Sequence, residues 1–400
     1  MLKRFRVSNF KSLLNVEFKP VGLNLLVGQN NAGKSNLCSA LRFLGLTSSN
    51  TLENAAKATL GETWNISNVY VSEKDKTIEL EVEATLSDEG QQLEFDYLLR
   101  ITADRDSSSL KQSLKVSEEV LKLTAGKFQQ TPLLENRNGQ AKLLHEKRFL
   151  GEVSGWDKYV ETLTPQDATM LSRLFDLDTN RRANLFKRYL QGWFYYNLYP
   201  HALRSPEVAN ERALIGHDGS NLSKVLYALH NEKPRLERKI IDMVRTLEPK
   251  LDLFTFSSPD PESVYLFLED QSGNRFSTQS ISDGTLRFLA MSYLILMQGN
   301  FGDASGPASL ILIEEPENGL YVGHLKPLLE KIDPSGQFGQ FIFTSHSPYF
   351  IDLWDANVDG IHLIKPGKPS SVLVRPNPDK VRQLLNDMSL GEMHYREMLG

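Results

Sequence analysis

Eight consecutive residues constrain this chain more than any other feature. Gly28-Gln29-Asn30-Asn31-Ala32-Gly33-Lys34-Ser35 reads G-x-x-x-x-G-K-[ST], a loop that cradles phosphate between a buried strand and a helix. Asn24-Leu25-Leu26-Val27 before it is a short apolar strand, and Asn36 with the following LCSALRFLGL is an apolar-rich helix. Each part follows from phosphate chemistry. The glycines let backbone N–H groups wrap a phosphate chain, Lys34 reaches the β- and γ-phosphates, and the Ser35 hydroxyl can ligate Mg²⁺. The helix N-terminus points its unpaired N–H groups at the same anion. Gly28 through Asn36 are therefore expected to hold a nucleotide, with ATP and Mg²⁺ as cofactors.

Hydrolysis further needs an acidic contact for the metal and a group that orients water. Leu310-Ile311-Leu312-Ile313 is a buried parallel-strand pattern ending in Glu314-Glu315-Pro316, which sets two carboxylates at a strand's carboxyl end. Glu314 is expected on the metal side and Glu315 as the base that polarises the attacking water. Side chains alternate along a strand, so both can serve one site only if the strand ends there. A second apolar strand, Gln340-Phe341-Ile342-Phe343, leads into Thr344-Ser345-His346-Ser347-Pro348. In this company His346 is expected to sense the γ-phosphate or hold the catalytic water. Ser282-Asp283-Gly284 opens an apolar helix, again an anion-binding design. One chain already has its P-loop at the phosphates. The second cap is expected to reach a partner's nucleotide, which predicts head-to-tail pairing of two copies around two sandwiched nucleotides.

At 400 residues the chain has room for more than one domain, and its net charge of −5 gives no global signal for polyanions. Any nucleic-acid contact has to be a local patch. The single cysteine, Cys38, excludes an intrachain disulfide and sits on the post-loop helix, where it reads as core filler. No apolar run has the length of a membrane span and MLKRFRVSNF lacks the apolar region of a signal peptide. A cytoplasmic location without membrane contact is expected.

In chain order, residues 2–8 and 15–18 alternate around Asn9-Phe10-Lys11-Ser12 and read as an antiparallel pair. Strand-like runs follow at 68–72, 77–86 and 95–103, and together they predict a β-rich lobe beside the nucleotide core. Residues 104–150 carry Asp106-Ser107-Ser108-Ser109 and Asn136-Arg137-Asn138-Gly139 and read as an elaborated insertion. Helical patterns cover 165–176 and 181–192. Arg181, Arg182, Lys187 and Arg188 precede Trp193, Phe194, Tyr195, Tyr196 and Tyr199. Two readings stand for that stretch: a grip on a nucleic-acid strand, or a solvated helix face followed by a core segment. Residues 220–248 are two helices split at Asn231–Pro234, too short for a coiled-coil arm, and 254–256 and 263–269 read as strands.

Jointly, NFKSL with NLLVGQNNAGKSNL, ISDGTLRFLAM, LILIEEPENGL and FTSHSP resemble ABC-type ATPase heads. The resemblance is specifically to the OLD-like and RecF-like group related to the SMC and Rad-type DNA-maintenance ATPases. Leu203-Arg-Ser-Pro and His217-Asp-Gly-Ser-Asn-Leu-Ser-Lys-Val-Leu226 are similar to that group as well. The resemblance implies an α/β P-loop NTPase with an antiparallel β lobe and an inserted helical and β region. Residues 1–103 would form the first part of the head, 104–270 the insert and 271–400 the second part. It makes Lys34 and Ser35 the phosphate and metal residues, Ser282 and Gly284 the contacts to a partner's γ-phosphate, Glu314 the metal-side acid, Glu315 the base and His346 the switch residue. Glu314 replaces the aspartate of most such heads, and Tyr321-Val322 stands where the group often has His-Pro. Gln91 and Gln92 are the candidates for the Q-loop glutamine. With 54 residues after His346, the Toprim nuclease domain of many OLD-like proteins is not expected. The implied function is an ATP-hydrolysing homodimeric switch coupled to DNA sensing or to a separately encoded effector in bacterial defence or repair. The alternatives are a nucleotide-gated scaffold that seldom hydrolyses and, more weakly, a nucleic-acid-binding structural protein.

Overall fold

The computed structural model describes residues 1–61, 66–70, 77–105, 112–125, 128–146, 156–175, 178–205, 214–260, 263–297, 309–336 and 339–399. Strands β1 (Leu2–Phe10) and β2 (Leu13–Phe18) form the expected antiparallel hairpin, pairing Phe5 with Phe18 and Val7 with Val16. Asn9 and Lys11 turn the chain with positive φ. β3 (Leu23–Val27) is wholly buried, and the P-loop leads from it into the helix Lys34–Thr47.

Beyond β3 the chain returns to the first sheet. β4 (Thr77–Asp88), β5 (Gln91–Arg105), β6 (Gln112–Ala125), β7 (Phe128–Arg137), β8 (Gln140–Glu146) and β9 (Trp156–Leu163) extend it, in the order β2-β1-β4-β5-β6-β7-β8-β9. All of its pairings are antiparallel. The described residues of 104–150 therefore continue the β lobe instead of forming an insertion of short pieces, and residue 103 lies inside β5. Asn138 and Gly139, both at positive φ, make the tight turn between β7 and β8. The Asp106–Ser109 run lies outside the described residues, as do Val71 and Ser72. Asn68–Tyr70 do not form the expected strand; Ser67 makes an isolated bridge to Phe10.

Two further differences concern the middle of the chain. Among the described residues of the expected helix 165–176, only Met170–Arg173 is helical. Lys187 Nζ donates to the carbonyls of Ser172 at 2.9 Å and Leu174 at 2.7 Å, which draws the chain end away from helical pairing. Residues 193–196, the aromatic run after the helix Arg181–Gln191, form β10 (Trp193–Tyr196). After the helices Leu222–Glu232 and Pro234–Val244 come β11 (Leu251–Asp260), β12 (Ser263–Asp270) and β13 (Arg275–Ser277), a small antiparallel sheet. The helix Asp283–Leu296 precedes β14 (Leu310–Glu314), β15 (Gln340–Ser345), β16 (Ile361–Lys365) and β17 (Val372–Val374).

The nucleotide-side sheet has the order β10-β14-β15-β3-β16-β17, parallel except for the final pair. Its inner strands β14, β15, β3 and β16 are buried on both faces, as parallel strands are. Leu310, Leu312 and Ile342 join a core shared with the P-loop helix and the antiparallel sheet. Ile311, Ile313, Phe341 and Phe343 join a second core with the helix Asp283–Leu296. The period-two alternation thus assigns each side chain to one of two hydrophobic layers. Strand ends β3, β14 and β15 finish side by side, and the candidate chemistry gathers there.

Candidate nucleotide site

β3 delivers Gly28 against β16, where a Cβ would come within 2.3 Å of the Ile364 carbonyl oxygen. Gly33 has φ 111°, and a Cβ there would come within 2.4 Å of Ser371 and 3.1 Å of Ser12, so space requires glycine at position 28, and space and conformation together require it at position 33. Asn31 is also at positive φ. Lys34 Nζ donates to the carbonyls of Gly28 at 2.6 Å and Gln29 at 3.2 Å, folding its ammonium over the loop. Burial lowers the Lys34 pKa, and Glu315, Glu314 and Glu317 counter it. Asn36 Nδ2 donates to Ser12 Oγ at 2.7 Å, and Ser12 pairs with Ser371 at 2.9 Å, which ties the loop to the β1–β2 turn.

β14 ends at Glu314, and Glu315 follows in the left-handed region with φ 43°. That turn is what lets adjacent carboxylates serve one site, since an extended residue would send them to opposite faces. The Glu315 N–H donates to the Thr344 carbonyl at 3.1 Å, so the turn is anchored on β15. Glu315 Oε1 lies 3.2 Å from His346 Nδ1, and its Oε2 accepts from Asn318 Nδ2 at 2.7 Å. The two residues expected to handle water are therefore in direct contact.

Glu314 occupies the drier position. Its Oε2 accepts from the Tyr195 hydroxyl at 3.1 Å, and Ser35 and Cys38 lie beside it. Burial holds its carboxyl above the ordinary carboxylate range, against the pull of those hydrogen bonds. Burial and Glu314 in turn push the Tyr195 phenol up, so it remains a donor. The Arg42 guanidinium lies 4.7 Å above the Tyr195 ring. Glu314 Oε1 is buried with no hydrogen-bond partner among the described residues. An orphaned carboxylate oxygen beside a serine hydroxyl is a hard-oxygen pair that fits Mg²⁺. Among the described residues no group of three or more His, Cys, Asp and Glu side chains could hold a metal by itself. An ion held by one carboxylate, a hydroxyl, phosphate oxygens and water needs no such cage.

Sequence reasoning missed two residues here. Tyr195 enters from β10, and Glu317 packs against the end of β15. Glu317 is 7% exposed, its Oε1 accepts from Ser345 Oγ, and its Oε2 has no partner among the described residues. Burial raises its pKa, and the Ser345 hydrogen bond opposes the shift. Glu317 lies within the string LILIEEPENGL, but nothing in that string marks it as buried.

Ser282 caps the helix Asp283–Leu296, accepting from the Thr285 N–H at 3.0 Å, and Asp283 pairs with Arg204 at 2.6 Å. Gly284 sits against the loop after Glu315, where a Cβ would come within 2.5 Å of the Gly319 carbonyl oxygen. Arg287 Nη1 donates to the Asn318 carbonyl at 2.9 Å. The hydrogen bonds of Ser282 and Asp283 run to Thr285 and Arg204 and not to the P-loop of the same chain. Gln91 and Gln92 are exposed next to the turn joining β4 and β5. Of the basic residues before β10, Arg181 pairs with Asp88 and Glu89, and Lys187 is engaged by backbone carbonyls. Trp193 and Tyr196 are core residues. No helix among the described residues is long and apolar enough to cross a membrane.

A parallel sheet with a P-loop after β3, an acidic strand end beside it and an antiparallel lobe packed on the same helix define the class. This is an α/β P-loop NTPase, an ABC-type ATPase head with an antiparallel β lobe and an inserted helical and β region. The chain belongs to the family described as "AAA domain, putative AbiEii toxin, Type IV TA system", whose model matches residues 23–352. Comparison with curated proteins finds no match. Among solved structures, the chain is similar to an SMC head bound to the C-winged helix domain of ScpA. The TM-score is 0.55 at 16% identity, over 95% of this chain and 99% of that one. Looser likenesses are the SMC head domain from Thermotoga maritima (TM-score 0.45, 10% identity, 94% and 99% covered) and an SMC head with an extended coiled coil bound to the C-terminal domain of ScpA, derived from Pyrococcus furiosus (0.46, 12%, 96% and 98%). The likeness of fold rests on the first. P-loop ATPases of this type generally use ATP with Mg²⁺.

Proposed function

We propose that this chain is an ATP-hydrolysing switch in which two copies close around two nucleotides, turn them over slowly and reopen. The observation that carries this reading is the Glu315–His346 contact of 3.2 Å at the ends of β14 and β15, beside Lys34 and the P-loop. In this reading Gly28–Asn36 wrap the phosphates and Lys34 moves from its own loop carbonyls onto the β- and γ-phosphates. Bound Mg²⁺, held by Ser35 and Glu314, would draw charge from the phosphate oxygens. Glu315 accepts a proton from the attacking water as the bond between the γ-phosphorus and the β-phosphate oxygen breaks, giving ADP and phosphate. With His346 Nδ1 turned to Glu315, Nε2 is the ring atom left for the γ-phosphate or the water. Ser282, Asp283 and Gly284 complete the partner's site.

ATP favours the closed state only through contacts that its γ-phosphate makes and ADP lacks. The contact of Gly284 and Arg287 with the Asn318–Gly319 loop supports a coupling of that closure to the catalytic strand end. The partner governed by the switch would be a separately encoded effector, a nuclease or toxin in bacterial genome defence or repair. The family's toxin–antitoxin description supports a two-component arrangement, and the OLD-like motifs favour the defence setting. DNA sensing has less support, because Arg181 and Lys187 are already engaged.

The test is the oligomeric mass of Glu315→Gln with and without ATP·Mg²⁺, alongside wild-type phosphate release with and without duplex DNA. Mass doubling only with ATP, together with wild-type turnover, supports the switch. A variant that is already assembled without ATP, with a wild type that releases no phosphate, replaces it by the nucleotide-gated scaffold.

A further inference from the structure

Ser282 is part of a short hydrogen-bond chain whose proton count can be closed. Thr285 Oγ1 lies 3.0 Å from Glu248 Oε1, and Ser282 Oγ lies 2.8 Å from Thr285 Oγ1. Ser282 Oγ also accepts from the Thr285 N–H at 3.0 Å. A carboxylate accepts only, and each hydroxyl has one proton. The Thr285 proton must therefore point to Glu248. Thr285 Oγ1 is left as the acceptor, and the Ser282 proton is committed to it. In this arrangement Ser282 offers an approaching anion a lone pair and no donor.

We infer that Glu248 is a positioning residue that acts through Thr285 to hold Ser282 in a non-donating state, and so restrains ATP-dependent closure. The inference rests on the switch reading, in which Ser282 contacts the γ-phosphate held by the partner copy. Closure then requires the Ser282 hydroxyl to leave Thr285 and turn to the phosphate. Without Glu248 the Thr285 proton can turn to Ser282 Oγ, and the Ser282 proton becomes free. Glu248 follows the helix Pro234–Val244 and is exposed, while Thr285 is buried. Removing the Glu248 side chain therefore leaves the core intact. A neutral hydroxyl bond is worth about fivefold in an equilibrium constant, and the sandwich would contain two such serines, so the effect on dimerisation is about 25-fold.

The experiment measures the dimer dissociation constant in ATP·Mg²⁺ by sedimentation, with Glu315→Gln as the background. Adding Glu248→Ala is expected to tighten the dimer by about five- to 25-fold, and Thr285→Val, which removes the acceptor, shifts it the same way. Ser282→Ala weakens the dimer, and Glu248→Ala gives no gain on top of it, because the two substitutions act on one proton. A purely structural role for Glu248 would not produce tightening that depends on Ser282. No tightening by Glu248→Ala, or tightening that persists with Ser282→Ala, overturns the inference and leaves the switch standing. If the Glu315→Gln background itself fails to dimerise with ATP, or Ser282→Ala changes nothing, the switch reading of this face falls and the restraint with it.

Discussion

Tyr195→Phe separates a metal-positioning role from simple core packing. The substitution removes one hydroxyl and keeps the ring, so the Arg42 guanidinium 4.7 Å above it retains its platform. What is lost is the 3.1 Å hydrogen bond to Glu314 Oε2. A hydrogen bond to a charged acceptor contributes about 1.5–3 kcal/mol, or roughly ten- to a hundredfold in an equilibrium constant. Loss of an outer partner of a metal ligand costs a similar factor in metal affinity. Burial already holds Glu314 above the ordinary carboxylate range, and the Tyr195 bond is one of the contacts that oppose it. Without that bond the neutral acid, a poor metal ligand, is favoured further. The concentration of Mg²⁺ that half-saturates wild-type-style phosphate release should rise by about ten- to a hundredfold. The defect should deepen as pH falls and ease as pH rises, because deprotonation restores the ligand. Nucleotide binding measured in chelator, which relies on the P-loop amides and Lys34, should be unchanged. An unchanged Mg²⁺ requirement in Tyr195→Phe, alongside loss of Mg²⁺-dependent release in Glu314→Gln, would refute the role proposed for this hydroxyl.

Gly284→Ala puts a methyl 2.5 Å from the Gly319 carbonyl oxygen, so the helix must move off the loop that follows Glu315. ATP binding to the monomer should persist, measured by fluorescent-nucleotide titration, while ATP-dependent assembly weakens by at least tenfold, about 1.4 kcal/mol; full assembly would show that this contact is dispensable. Burial holds His362 down to about 3 from 6.5, with its ring edge-on to Phe18 at 4.8 Å. The unfolded chain therefore takes up a proton below pH 6.5 that the folded one refuses, and stability present above that pH is lost as pH falls toward 3. At pH 5 the loss is about 2 kcal/mol, so urea unfolding of His362→Phe should lose about that much less than wild type between pH 7 and pH 5; equal losses would remove His362 as the cause.

The residues legible in the sequence are those whose chemistry is written in contiguous strings. The P-loop, the β14 run ending in paired glutamates, His346 after β15 and the Ser282 cap each combine a local backbone pattern with a functional side chain, and the structure sets the first three at adjacent strand ends. Segments whose state depends on distant partners are less legible. The lobe strands β6 to β9 looked like an insertion because their turn residues stand out more than their alternation does. Pairing to β5 decides their state. The pattern at 165–176 is helical in period, yet Lys187 takes the carbonyls that would continue the helix.

Tyr195 shows the limit most clearly. Its sequence neighbours are basic and aromatic, which suits a nucleic-acid grip as well as a core strand, and only pairing distinguishes the two. Trp193 to Tyr196 lie in parallel register with Leu310 to Ile313, so Tyr195 is aligned with the strand that ends in Glu314 although 119 positions separate the two. A parallel neighbour can come from any distance along the chain, because the crossover that returns it has no fixed length. The contact that supports the Glu314 carboxylate is for that reason a property of the strand order and not of any motif. The middle of the chain, which carries no nucleotide signature of its own, reaches the candidate site by closing the edge of its sheet.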